Sequence, residues 1–139
     1  MFHSVELRAF CHATEEEDRV ERAIRTLWPG GEVTTQTLEG HHGNPIAMMT
    51  CRIERREDVD AFWRHMKEAG TIPAILQVLE ERVDDEAVLH FRVDKQRAFE
   101  GSIELAQHDD VVAARAKVIA HPAKRSTAIR AAREYLSGL

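Results

Sequence analysis

Residues 4–12 alternate between apolar and polar, with Val5, Leu7, Ala9 and Cys11 on one side and Glu6, Arg8, Phe10 and His12 on the other. That period of two predicts a strand buried on one face. The period then lengthens. Val20, Ala23, Ile24, Leu27 and Trp28 recur at helical spacing behind Thr14 and Glu17, which read as a capping box, and Pro29-Gly30-Gly31 ends the run. Stretches rich in β-formers at 32–39 and 45–54 flank Glu39-Gly40-His41-His42-Gly43-Asn44-Pro45, which predicts a hairpin with a turn-forming tip. Val59, Phe62, Trp63 and Met66 mark one face of a helix over 58–70, and Thr71-Ile72-Pro73 opens a second, with Pro73 in its first turn. Leu89, Phe91 and Val93 alternate through a strand at 87–93, with short strands near 101–106 and 110–120 after it. Ala128, Ile129, Ala132, Tyr135 and Leu136 predict a closing amphipathic helix between Pro122 and Ser137.

The predicted order is therefore β-α-β-β-α-α-β-β-β-α. The simplest way to bury its apolar faces is an α+β fold, a two-layer α/β sandwich whose mostly antiparallel sheet has helices on one face. Residues 1–139 form a single domain in this reading, since 139 residues with 43% hydrophobic content suffice for one core and no repeat or long linker divides them. Cys11 and Cys51 lie in apolar alternating runs and read as core residues. No stretch has the roughly 18 apolar residues of a membrane span, and the opening MFHSVELRAF lacks a signal-peptide layout. A cytoplasmic protein with no membrane partner is expected.

Such a sheet leaves one face uncovered. By alternation that face displays Arg8, Phe10 and His12, then Arg52, His90, Arg92, Arg115 and Lys117. Charge is also segregated. The net charge is −5, yet Val111 to Leu139 holds six Lys or Arg and one acid, against thirteen bases and twenty-three acids in the preceding 110 residues. An overall acidic balance argues against a general polyanion binder, while the local excess suits phosphate contact. Cationic side chains beside a ring on a sheet are a common RNA-binding combination. The same face also carries Met48, Val88, Val111 and Ile119, so a homodimer contact is a second reading.

Other constellations add less. Lys95 and Arg97 lie in the connector Asp94–Gly101, near one end of the sheet, and Lys124 and Arg125 lie in the first turn of the last helix, where the dipole disfavours cations. An anionic partner would account for them. His41 and His42 are adjacent without the convergent ligands a metal needs, so they, with Asn44, read as a loop contacting its own backbone or a phosphate. Asp109-Asp110, Asp84-Asp85-Glu86 and the acids at 15–18 sit at turns or helix starts, where turn chemistry and the dipole explain them. No catalytic residue, metal or cofactor is expected, because no nucleophile, zinc-protease, phosphate-loop or dinucleotide motif occurs. A nuclease using His41, His42 and Asp109-Asp110 is a third reading.

Gly40-His41-His42-Gly43-Asn44-Pro45-Ile46, Asp94-Lys95-Gln96 with Gly101, Pro122-Ala123-Lys124-Arg125 and the opening ELRAFCHATEEEDRV together resemble an archaeal protein family described as RNA-binding and related to exosome subunits. The resemblance spans nearly the whole chain. It implies a fold like that of the ribosomal protein that binds 5S rRNA, RNA as partner, and a setting in RNA processing or ribosome-linked RNA, with RNA-processing complex subunits as further partners. It implies no catalytic residues, and marks Asn44, Asp94, Lys95, Gln96, Lys124 and Arg125 as motif positions. RNA binding without catalysis is the leading expectation. A homodimeric or assembly subunit is the alternative.

Overall fold

Two periodicities decide the layers. In β1 (Phe2–Cys11) the odd-numbered residues from Val5 to Cys11 are buried and their neighbours are not, so one side of the strand faces a core and the other faces out. A computed structural model describes residues 1–39 and 43–139. After β1 come α1 (Glu17–Leu27), β2 (Val33–Glu39), β3 (Pro45–Ile53), α2 (Arg56–Glu68), α3 (Ile72–Arg82), β4 (Val88–Asp94), α4 (Lys95–Phe99), β5 (Val111–Val118) and α5 (Arg125–Ser137). The strands form one antiparallel sheet in the order β2-β3-β1-β5-β4, as the α+β reading expects. The four longer helices supply the other layer, and no helix among the described residues is long and apolar enough to cross a membrane.

Trp63 of α2 is the centre of the core. It is fully buried, with ring centroids 4.5 Å from Phe2 of β1, 5.1 Å from Phe62 and 6.0 Å from Phe91 of β4. Between β1 and β4 runs β5, whose inward residues include Ala114 and Ala116. Those small side chains leave room for rings across the middle of the sheet, which is why an alanine-rich segment is a strand here despite modest β-propensity. Cys11 and Cys51 are buried free thiols of this core, and burial raises both above the usual thiol range.

Two local expectations change. Glu16, not Thr14, caps α1, and no side chain bonds there; Glu15 turns back instead to accept from the His12 amide at 3.1 Å and from Lys95. With the helix starting at Glu17, Thr14 lies two residues ahead of the cap and so outside the expected box. The strand expected near 101–106 is a single bridge, Leu105 with Val93, because the chain first coils into α4. Asp94 starts that helix by accepting from the Arg97 amide at 2.8 Å.

Candidate nucleic-acid interface

The register assembles the uncovered face around β1. Glu6 stands between Arg52 of β3 and Arg115 of β5, while Arg8 stands between Thr50 and Ala113. On the far side of β5, Arg115 pairs with His90 and Ala113 with Arg92. Five of the expected residues, Arg8, Phe10, Arg52, Arg92 and Arg115, therefore share one surface, with Lys117 further along β5. Glu6 lies at its middle. Its carboxylate accepts from Arg8 Nη2 at 3.1 Å and faces Arg52 Nη2 at 3.3 Å. One negative charge thus restrains two guanidiniums, and Arg115 beside them is exposed with no ion pair among the described residues. The cluster keeps net positive charge. Arg8 Nε and Arg92 Nε, on either side of Ala113, are buried with no hydrogen-bond partner, the kind of unspent donor found at functional surfaces.

Phe10 is 43% exposed, a large ring left uncovered beside Met48 of β3. Next to it Arg8, His12, Asp109, Val111 and Ala113 help line a groove of about 400 Å³. Its inner end is closed by Lys95, which corrects an expectation. The sequence predicts Lys95 as a surface cation for RNA, yet it is only 3% exposed: its Nζ donates to Glu15 Oε1 at 2.9 Å and to the Phe10 carbonyl at 2.9 Å, and lies 2.8 Å from Asp110 Oδ1. Burial opposes its charge, but the hydrogen bonds to Asp110 and Glu15 outweigh burial and raise its pKa. The short helix α4 turns the side chain inward, a direction that an extended connector would not impose. Its charge is spent inside the protein.

Asp94 braces the same end. The Arg97 amide lowers its pKa most, and His108 Nε2 at 2.9 Å lowers it further against partial burial. Asp94→Ala is expected to cost about 1 kcal/mol of stability at neutral pH, the usual loss for an N-cap. Because the folded pKa lies below the unfolded one, this contribution is present above about pH 4 and disappears as pH falls through the folded value. Urea unfolding of the two proteins at pH 7 and pH 2.5 checks both the size and the sign.

The remaining cations lie elsewhere. Arg97 stands 3.7 Å from Glu100 and 3.5 Å from Glu104, so two carboxylates offset it. Lys117 donates to the Glu86 carbonyl. Lys124 is the N-cap of α5 and Arg125 donates to the Glu80 carbonyl of α3. Strand direction puts α5's start beyond Val118, which pairs with Phe2, at the opposite end of the sheet from Phe10. Lys124 and Arg125 thus begin a helix of the covered side and do not join the groove. Asn44 is exposed just before β3, whereas His41 and His42 lie outside the described residues. The Asp109-Asp110 pair divides: Asp110 is held by Lys95 and Gln96, and Asp109 faces the groove. Glu6 and Asp109 are the additions that sequence patterning left out of the interface. Glu6 follows from the same alternation as Arg8, while Asp109 needed the fold.

Comparison with known proteins bears on this face. A family described as RNA binding matches residues 4–118. This chain belongs to that family. The family match takes in all of β2 to β5 and most of β1, hence nearly the whole uncovered sheet, and stops before α5. A Pyrococcus abyssi relative named RNA-binding protein PAB1135 is 30% identical, over 98% of this chain and 94% of its own. Two solved structures are similar throughout. Mth689 of Methanothermobacter thermautotrophicus, a DUF54 protein, is 34% identical with a TM-score of 0.86, covering 98% of both chains. AF2318 of Archaeglobus fulgidus, also assigned to DUF54, is 33% identical with a TM-score of 0.87, covering 96% of this chain and 99% of its own.

Proposed function

We propose that this protein binds unpaired RNA, without catalysis, through the uncovered sheet face. The observation that carries the reading is the grouping of Arg8, Arg52 and Arg115 around the single carboxylate of Glu6, with the exposed Phe10 ring on the same face. Guanidiniums match phosphate oxygens in a fork, and a ring offers a platform to any base. Glu6 holds Arg8 and Arg52 in place without cancelling both. Membership of an RNA-binding family supports the partner, and the exosome-related or ribosome-linked setting implied by the resemblance belongs to the same proposal. With a net charge of −5 the rest of the molecule repels RNA, so affinity depends on this local cluster and should be strongly salt-sensitive.

If about four phosphates are neutralised on a single strand, log K falls with log salt at a slope of about −3. Replacing Arg52 and Arg115 together with alanine should flatten the slope by about 0.7 for each cation removed. Lys124→Ala with Arg125→Ala tests whether the start of α5 joins the contact, since only a shared surface would move the slope as well. Fluorescence anisotropy with labelled oligoribonucleotides across a salt series measures all three. Salt-independent or absent binding would overturn the reading, and a concentration-dependent mass in that case would favour self-association through the same face.

A further inference from the structure

The groove beside Phe10 contains a residue that phosphate binding alone would not place there. Asp109 is fully exposed, with a side-chain accessibility of 105%, and its one ion pair among the described residues is a long contact of 3.6 Å to Arg92 Nη1. Its neighbour Asp110 is accounted for by Lys95 and Gln96. Turn geometry explains an acid at this position but would be served equally by Asn or Ser. On a surface that attracts phosphate, a carboxylate at the groove's edge weakens binding unless it meets donors on the ligand.

A base stacked on Phe10 would present its polar edge to the groove wall that Asp109 helps to form. A carboxylate there only accepts hydrogen bonds. Among the four RNA bases, guanine carries two adjacent donors on its Watson–Crick edge, N1–H and the exocyclic N2–H, spaced for the two oxygens of one carboxylate. Adenine and cytosine set a single amino donor beside an acceptor, and uracil sets its one N–H between two carbonyls, so each would turn lone pairs toward Asp109. Unmatched acceptor pairs of that kind are what makes a polar site selective. Resting on the RNA reading above, we infer that the groove formed by Arg8, Phe10, His12, Asp109 and Ala113 is a guanine-selective subsite. Phe10 stacks the base, Asp109 accepts from N1–H and N2–H, and Arg8 lies at the groove edge for the adjoining phosphate. Ala113, opposite Arg8 on β5, keeps the groove floor low beside the ring.

Anisotropy titrations with heptameric oligouridine carrying G, A, C or U at the centre test this. The guanosine oligonucleotide should bind about 10-fold tighter than the other three, the scale of a bidentate base contact. Inosine, which keeps N1–H and lacks the amine, should fall between guanosine and uridine. Asp109→Asn should bring the guanosine-to-uridine ratio close to one, because the amide turns a donor toward one of guanine's donors; Asp109 is fully exposed, so the fold does not depend on it. Phe10→Leu should weaken all four oligonucleotides together. Equal binding of the four by the unaltered protein, or a guanosine preference that survives Asp109→Asn, would overturn the inference while leaving the RNA reading intact. Failure to bind any of them would overturn the RNA reading and this subsite with it.

Discussion

Trp63→Ala is expected to lower the unfolding free energy by about 4 kcal/mol, as truncation of a large buried aromatic does. For a chain of this size that corresponds to a fall in Tm of about 12 °C or more. The reason lies in what the indole joins. It touches Phe2 of β1 and Phe91 of β4, strands that do not pair with each other, across the alanine floor of β5. Removing it opens a cavity whose walls belong to three strands and cannot collapse without moving the sheet. Yet Trp63 Nε1 is buried with no hydrogen-bond partner. Trp63→Phe loses part of the ring but also relieves that unpaired donor, itself a cost of about 1–3 kcal/mol, so its net effect should be only about 1 kcal/mol. Urea melts with unchanged slopes measure both variants. A phenylalanine variant as unstable as the alanine one would mean that the indole N–H has a partner after all.

The same core shows where patterning along the chain suffices and where it does not. Val5-Leu7-Ala9-Cys11 and Val59-Phe62-Trp63-Met66 have one period each, and burial follows it residue by residue. The uncovered face follows too, since a strand buried on one side must expose the other. What alternation cannot supply is lateral register, and register is what sets Glu6 between Arg52 and Arg115 and so reduces the charge of that face. Lys95 fails for a different reason. Lysine is almost never buried unless paired, and its partners lie 80 residues back at Glu15 and 15 residues on at Asp110, too far along the chain for any local pattern to join them. The sign of α4 was present in Asp94 three residues before Arg97, an N-cap spacing, but five residues are too few to show a helical period. The last helix starts at Arg125 with Lys124 as its cap, three residues after the expected start at Pro122, and the distance of both cations from the groove depends on strand direction, which neither motif encodes.

Lys95→Met is expected to destabilise the protein by about 3 kcal/mol at pH 7, the lower end for breaking a buried ion pair, because Glu15 and Asp110 retain some contact with water. The substitution keeps the length of the side chain, so the loss is electrostatic and not a cavity. Three acceptors lose their donor at once: two carboxylates and the Phe10 carbonyl. The pH dependence identifies the cause. Asp110 is held below its usual range, with burial opposing and the bonds from Lys95 and Gln96 prevailing, so its contribution is present above about pH 4 and is lost as pH falls through the folded value. Lys95 is raised, so its contribution is complete below about pH 10 and is lost only as pH climbs through its folded value. The stability gap between the two proteins should therefore stay level from about pH 5 to pH 9 and narrow on acidification. It should also be local. Without the bond to the Phe10 carbonyl, amide exchange should accelerate most at the end of β1, where Phe10 and His12 border the groove. Destabilisation below about 1 kcal/mol, or a gap that widens in acid, would mean that Lys95 does not tie the end of β1 to α4, and that the groove keeps its shape without it.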